Sequence, residues 1–195
     1  MTRHLENLIE TRQQQLNRLE GTKTKGVVKS LRKLVAYLDS EIARTEKQIR
    51  EHINNHPDLK QQSQLLESIP GIAKRTAAKL LSEIKDINQY RSARQVAAAA
   101  GLTPRNYRSG TIRGKTRLSK IGNARVRKAL FMPAMVAKQH NPIVRAFCQR
   151  LARNGKNKME IIGAAMRKLI HIVFGVLKSG KAFNPNHELL FNSVS

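Results

Sequence analysis

The chain has 195 residues and sets 37 Lys and Arg against 13 Asp and Glu, a formal net charge of +24. A surplus of this size calls for a polyanionic partner, because each phosphate met by Lys or Arg releases condensed counterions whatever the base sequence. A single cysteine, Cys148, excludes a disulfide framework and a cysteine zinc site, and 4% aromatic residues with no Trp argue against a stacking platform for single-stranded bases.

In chain order, the first residues, Met-Thr-Arg-His-Leu-Glu, lack the apolar core of a secretory signal, so a cytoplasmic protein is expected. Leu5, Leu8, Ile9, Leu16 and Leu19 mark a first amphipathic helix. Leu31, Val35, Leu38, Ile42, Thr45, Ile49 and Ile53 then recur at alternating steps of four and three, a coiled-coil seam. The polar tract between Gly21 and Gly26 breaks the two, which predicts a helical hairpin over residues 1–56; one long helix that dimerises remains the alternative. Glu6, Glu10, Glu41, Glu46 and Glu51 are spread along these helices as solvated surface charges.

Pro57 can open the next helix, which ends before Pro70. The run Ile69-Pro70-Gly71-Ile72-Ala73-Lys74-Arg75 followed by Thr76 to Leu81 resembles a helix-hairpin-helix element. There Gly71 would admit a phosphate to the backbone, the amides opening the second helix would donate to it, and Lys74 and Arg75 would add charge. An ordinary hairpin in which Ala77, Ala78 and Leu81 only pack would look the same. Ser92 is a plausible N-cap for Ala93 to Ala100, Gly101 a stop, and the four alanines from Ala97 imply a closely packed neighbour. From Leu102 to Lys120 the helical period vanishes, and the segment reads as an extended loop or short β-ribbon.

Helical pattern returns near Asn123, with Pro133 expected to kink it. Asn141-Pro142 starts another helix that Asn154-Gly155 ends, and a last one runs from about Lys158 to Lys178. Its apolar stretch, Met159 to Leu177, is interrupted by Glu160, Arg167, Lys168 and His171, which suits a buried helix with a polar stripe and not a membrane span. Cys148, inside a helical pattern, reads as buried filler. The chain is therefore expected to be mainly α: a coiled-coil hairpin at 1–56, a helical domain at 57–183 and a tail at 184–195.

Between Asp86 and Glu160 there is no acidic residue, while Arg91, Arg94, Arg105, Arg108, Arg113, Lys115, Arg117, Lys120, Arg125, Arg127 and Lys128 crowd one half of the interval. Charge without compensating carboxylates favours a polyanion site over a merely solvated face. Within it lie Ser109-Gly110 and Ser119-Lys120. Surrounding guanidinium groups could stabilise a serine alkoxide and a phosphorane-like transition state, although Ser beside Gly in a basic loop is more often a turn residue or a phosphate hydrogen-bond donor. The six histidines have no metal-ligand spacing, and no metal site is expected.

Leu66 to Ile72, Ala77 to Ile84, Ala99 to Arg105, Ser109-Gly110 and Ser119 to Leu130 together resemble, in order and spacing, the C-terminal transposase domain of the IS110 family. The resemblance covers about Leu65 to Phe183, and the preceding hairpin is similar to the coiled coil of such transposases. It implies a DNA recombinase guided by a structured RNA, in which a serine attacks DNA to form a covalent intermediate. By motif position Ser109 is the implied nucleophile and Ser119 the runner-up, with Arg105, Arg108, Arg113 and Lys120 as electrostatic partners.

Gly71, Lys74, Arg75, Lys115, Arg117, Arg125, Arg127 and Lys128 complete the expected DNA-binding set. Family members begin with a RuvC-like domain whose four acidic residues hold divalent metal, and no cluster here replaces it. The expectation is a truncated or split product with no cofactor of its own, binding DNA and a guide RNA as a homo-oligomer or paired with an intact transposase. A non-catalytic helix-hairpin-helix protein binding DNA or RNA, or a scaffold of ribonucleoprotein assembly, is the alternative.

Overall fold

The computed structural model describes residues 1–105, 108–109, 112–113 and 117–186, which divide into two compact units, 1–60 and 61–195. The first is a pair of packed helices, α1 (Thr2–Gly21) and α2 (Lys25–Asn54), whose three-residue link, Thr22 to Thr24, turns them antiparallel. Thr22 donates its hydroxyl hydrogen to the Arg18 carbonyl at 2.7 Å, taking up one of the carbonyls that the helix end leaves open. The break is shorter than the sequence implied, since Gly21 and Gly26 both lie inside helices.

The heptad seam of α2 is covered by α1. Leu38, Thr45 and Ile49 are buried with Leu5 of α1, and Leu31, Val35, Ile42 and Ile53 are half-buried with Leu8, Ile9, Leu16 and Leu19. The hairpin, and not one continuous helix, therefore satisfies the seam. Arg12 closes its flank by donating from Nε to Asp39 Oδ1 at 2.5 Å.

The second unit is built from α3 (Pro57–Glu67), which crosses into it, α4 (Lys74–Ile84), a 3-10 turn at Ile87–Gln89 and α5 (Ala93–Ala99). Four two-residue strands follow: β1 (Pro104–Arg105), β2 (Arg108–Ser109), β3 (Ile112–Arg113) and β4 (Arg117–Leu118). Then come α6 (Ala124–His140), α7 (Pro142–Arg153) and α8 (Lys158–Ser179). α8 packs against α5, α6 and α7, and its Leu169, Ile170 and Val173 are fully buried with Leu66, Ile69, Leu80, Val96, Leu102, Leu130 and Val144. Pro133 does not end α6, which continues through it.

Several helix ends in this unit are capped by side chains. Asn157 and Glu160 form a reciprocal capping box on α8, and Gly180 at φ +65° stops it. Asn141 is completely buried between α6 and α7, and its Oδ1 accepts from the amides of Ile143 and Val144 at 3.1 and 3.2 Å. Replacing Asn141 by Ala removes the cap and leaves two buried donors unmet, so urea unfolding is expected to show a loss of about 1–2 kcal/mol. Among the described residues no helix is long and apolar enough to cross a membrane.

Candidate nucleic-acid interface

The basic segment is anchored by a clasp at the end of α5. Gly101, at φ +67°, ends that helix, and its amide donates to the Ala98 carbonyl at 2.8 Å. Residues 119–123 return alongside: Ser119, Lys120 and Asn123 donate their amides to the carbonyls of Thr103, Gly101 and Ala99 at 2.8, 3.1 and 2.6 Å. Gly122, at φ +133°, fits so tightly that a Cβ there would collide with the Ala99 carbonyl and the Gly101 amide. The alanine run predicted close neighbours: Gly122 lies against the Ala99 carbonyl, α8 packs on α5, and Ala97 and Ala100 are buried.

From the clasp, β1 pairs antiparallel with β4, setting Pro104 opposite Leu118 and Arg105 opposite Arg117. Further out β2 pairs with β3, setting Arg108 opposite Arg113 and Ser109 opposite Ile112. Arginine is thus registered against arginine once in each ladder. Ser109 closes its strand immediately before the two residues, Gly110 and Thr111, that join β2 to β3. Lys115 and Gly110 lie outside the described residues.

Other predicted residues have structural engagements. Gly71 takes φ +107°, as a hairpin glycine should, but the space of its missing Cβ faces α6, with the Pro133 carbonyl oxygen at 2.8 Å and Ala137 Cβ at 2.9 Å. The direction of its missing Cβ is therefore filled by α6, while the residue itself stays half-exposed. Lys74 and Arg75 are exposed at the start of α4, whose N-cap Ala73 offers no side-chain hydrogen bond to the first amides. Arg127 donates from Nη1 to the carbonyls of Ala100 and Lys120 at 3.1 and 3.3 Å, bracing the clasp. Arg125 Nη1 lies 3.7 Å from Glu83 Oε1, while Asn123 Nδ2 donates to the other oxygen of the same carboxylate at 2.9 Å.

Ser119 is half-buried, and its Oγ accepts weakly from the Ile121 amide at 3.4 Å, supporting the positive-φ turn at Lys120. Arg105, Lys120 and Lys128 are exposed. Lys23, Lys25, Lys29, Arg32 and Lys33 form a separate basic concentration within the hairpin unit. Sequence reasoning missed Arg167, Lys168 and His171, which read only as interruptions of an apolar run. Burial, and then the charges of Arg167, Lys168 and Arg94, push His171 down to about 4, so its imidazole is neutral near pH 7. Among the described residues no group of three or more His, Cys, Asp or Glu side chains is placed to hold a metal ion.

The family model described as Transposase, IS116/IS110/IS902 family, matches residues 63–149, which run from α3 through the clasp and ribbon into α7. Residues 63–149 form a transposase domain of the IS116/IS110/IS902 family. The chain is 36% identical over 152 residues to the pilin gene-inverting protein of Moraxella bovis, covering 77% of this chain and 47% of that protein. It is 29% identical over 154 residues to the transposase for insertion sequence element IS1328 of Yersinia enterocolitica, covering 76% and 44%. It thus spans about half the length of the curated relatives it matches. The match ends inside α7, yet the transposase domain cannot close its core there, because α8 supplies nine of the buried residues that α5, α6 and α7 pack against.

Proposed function

We propose that this chain is the DNA-handling part of a serine-type transposase acting in the cytoplasm, with Ser109 as nucleophile. The observation that carries the reading is the ribbon register: two arginine pairs lead outward to a serine at the last position before a two-residue connection that contains Gly110. Such a position suits a hydroxyl that must meet a phosphodiester, and guanidinium groups suit the charge that develops on the attacked phosphate. In the proposed step the serine oxygen bonds to phosphorus as the bond to a deoxyribose oxygen breaks. The serine proton passes to water and the leaving oxygen is protonated. Attack by a strand hydroxyl on the phosphoserine would reverse the reaction with a new partner.

The relatives support this reading by their names, one for inverting a gene and one for transposing an insertion element. Ser119 remains the weaker choice, because its hydroxyl is engaged in the clasp turn. A guide RNA and a second transposase chain are proposed as further partners. Any divalent metal is proposed to be held by carboxylates other than those described. A non-catalytic nucleic-acid-binding reading draws support from the exposed, uncapped start of α4 beside Lys74.

Trapping of a covalent protein–DNA complex on a denaturing gel separates the two, using the chain with a RuvC-like domain supplied in trans. The expected result is an adduct that Ser109→Ala abolishes while Ser119→Ala and DNA binding persist. Binding without an adduct, or an adduct indifferent to Ser109, would replace this reading with the non-catalytic one or move the nucleophile.

A further inference from the structure

α8 keeps its apolar side in the core and carries Arg167, Lys168 and His171 along a half-buried stripe. Residues three and four apart share a face, so Arg167 and Lys168 both lie one turn before His171. α5 packs on α8 and brings Arg94 into the same field, where its charge acts on both Arg167 and His171. Among the described residues neither Arg94, Arg167 nor Lys168 has a carboxylate partner. His171 Nε2 is buried and makes no hydrogen bond. Three cations whose fields reach one imidazole, with no carboxylate between them, make this stripe a place where a negative charge would be favoured.

The location adds to the chemistry. Leu118, the last residue of β4, packs its side chain on Gly163 of α8, where a Cβ would lie 3.1 Å from Leu118 Cδ1. Arg167 is one helical turn further along that side, so the cluster begins where the foot of the ribbon rests. Lys168 Nζ lies 6.0 Å from the centroid of the Phe147 ring of α7.

We propose that Arg94, Arg167, Lys168 and His171 form a phosphodiester-binding site that holds a nucleic-acid strand beside the foot of the β1–β4 ribbon. Guanidinium groups match phosphate oxygens in paired hydrogen bonds, and the negative charge of a bound phosphate favours the protonated form of His171. The strand is DNA or RNA, which share this backbone chemistry. The inference rests on the reading that this unit binds nucleic acid.

The test compares the full chain with the double variant R94Q/R167Q and with R153Q/K156Q, which removes the same charge from exposed positions at and just beyond the end of α7. Binding of a DNA duplex and of an RNA hairpin is followed by fluorescence anisotropy across salt concentrations. For R94Q/R167Q the expected results are a drop of about tenfold or more in affinity and a salt slope smaller by about two, one for each phosphate no longer neutralised. Its melting temperature should equal or exceed that of the unaltered chain, because repulsion is relieved; a structural role predicts the opposite. The nucleic acid whose affinity falls further identifies the source of the strand.

In the unaltered chain, saturation with the preferred nucleic acid should raise the His171 titration, followed by its imidazole NMR resonances, above its free value of about 4. Affinity no more reduced than in R153Q/K156Q, or a His171 titration unchanged by ligand, would overturn the site while leaving nucleic-acid binding intact. Failure of the unaltered chain to bind either nucleic acid would remove both the inference and the reading beneath it.

Discussion

Gly122→Ala is expected to destabilise the second unit by about 3 kcal/mol, read by urea or thermal unfolding. Two costs combine. A φ of +133° is open to glycine and strained for any residue with a Cβ, a penalty of about 1–3 kcal/mol. The added methyl would also be driven into the Ala99 carbonyl and the Gly101 amide, neither of which is the yielding end of a side chain. Relief requires 119–123 to lift away, which breaks the hydrogen bonds donated by the Lys120 and Asn123 amides and draws the Lys120 carbonyl from Arg127. Because the clasp sets the base of the ribbon, the variant should lose DNA affinity at temperatures where it remains folded. A loss below about 1 kcal/mol would show that the loop yields easily and that the clasp does not set the ribbon.

The second large effect is on binding. Affinity for a duplex of arbitrary sequence is expected to fall about 10³-fold between 50 and 200 mM salt, the loss produced by about six neutralised phosphates. The expectation follows from the absence of any carboxylate between Asp86 and Glu160 and from the Arg–Arg registers of both ladders. Arg125 and Arg127 should contribute little to the slope, since one is paired with Glu83 and the other is spent on backbone carbonyls. Anisotropy titrations at four or five salt concentrations give the slope directly. A slope magnitude near one would mean that the basic segment faces solvent for solubility alone.

Much of the architecture was legible in the residue order. Alternating steps of four and three in α2 marked a seam, and the same residues are those covered by α1, because side chains on one face of a helix must find an apolar neighbour. Ser92 and Asn141 announced helix starts, since a short polar side chain can meet amides that the first turn leaves open. The end of helical period at Leu102 announced the ribbon. The family resemblance rested on the blocks between Leu66 and Leu130, all of which fall within the match over residues 63–149.

Other features depended on contacts between residues far apart in the chain. Gly71 was expected to give a phosphate room at the backbone, and the direction of its missing Cβ is filled by α6, a packing demand for glycine that only the tertiary structure reveals. Arg127 belonged to the same basic run as Arg105, yet a turn of backbone carbonyls claimed it. The break flanked by Gly21 and Gly26 shrank to three residues because α1 and α2 gain more by extending their shared seam than glycine loses in a helix, about 1 kcal/mol.

By itself, then, the residue order determined the helices, several of their caps, the ribbon segment and the concentration of positive charge. These follow from local backbone preference and from summed charge, neither of which needs a partner in space. The tertiary structure decided which cations are spent on the fold and which stay available, and it brought Arg94 to Arg167, Lys168 and His171. Their convergence depends on how α5 packs against α8, and no local pattern encodes that distance.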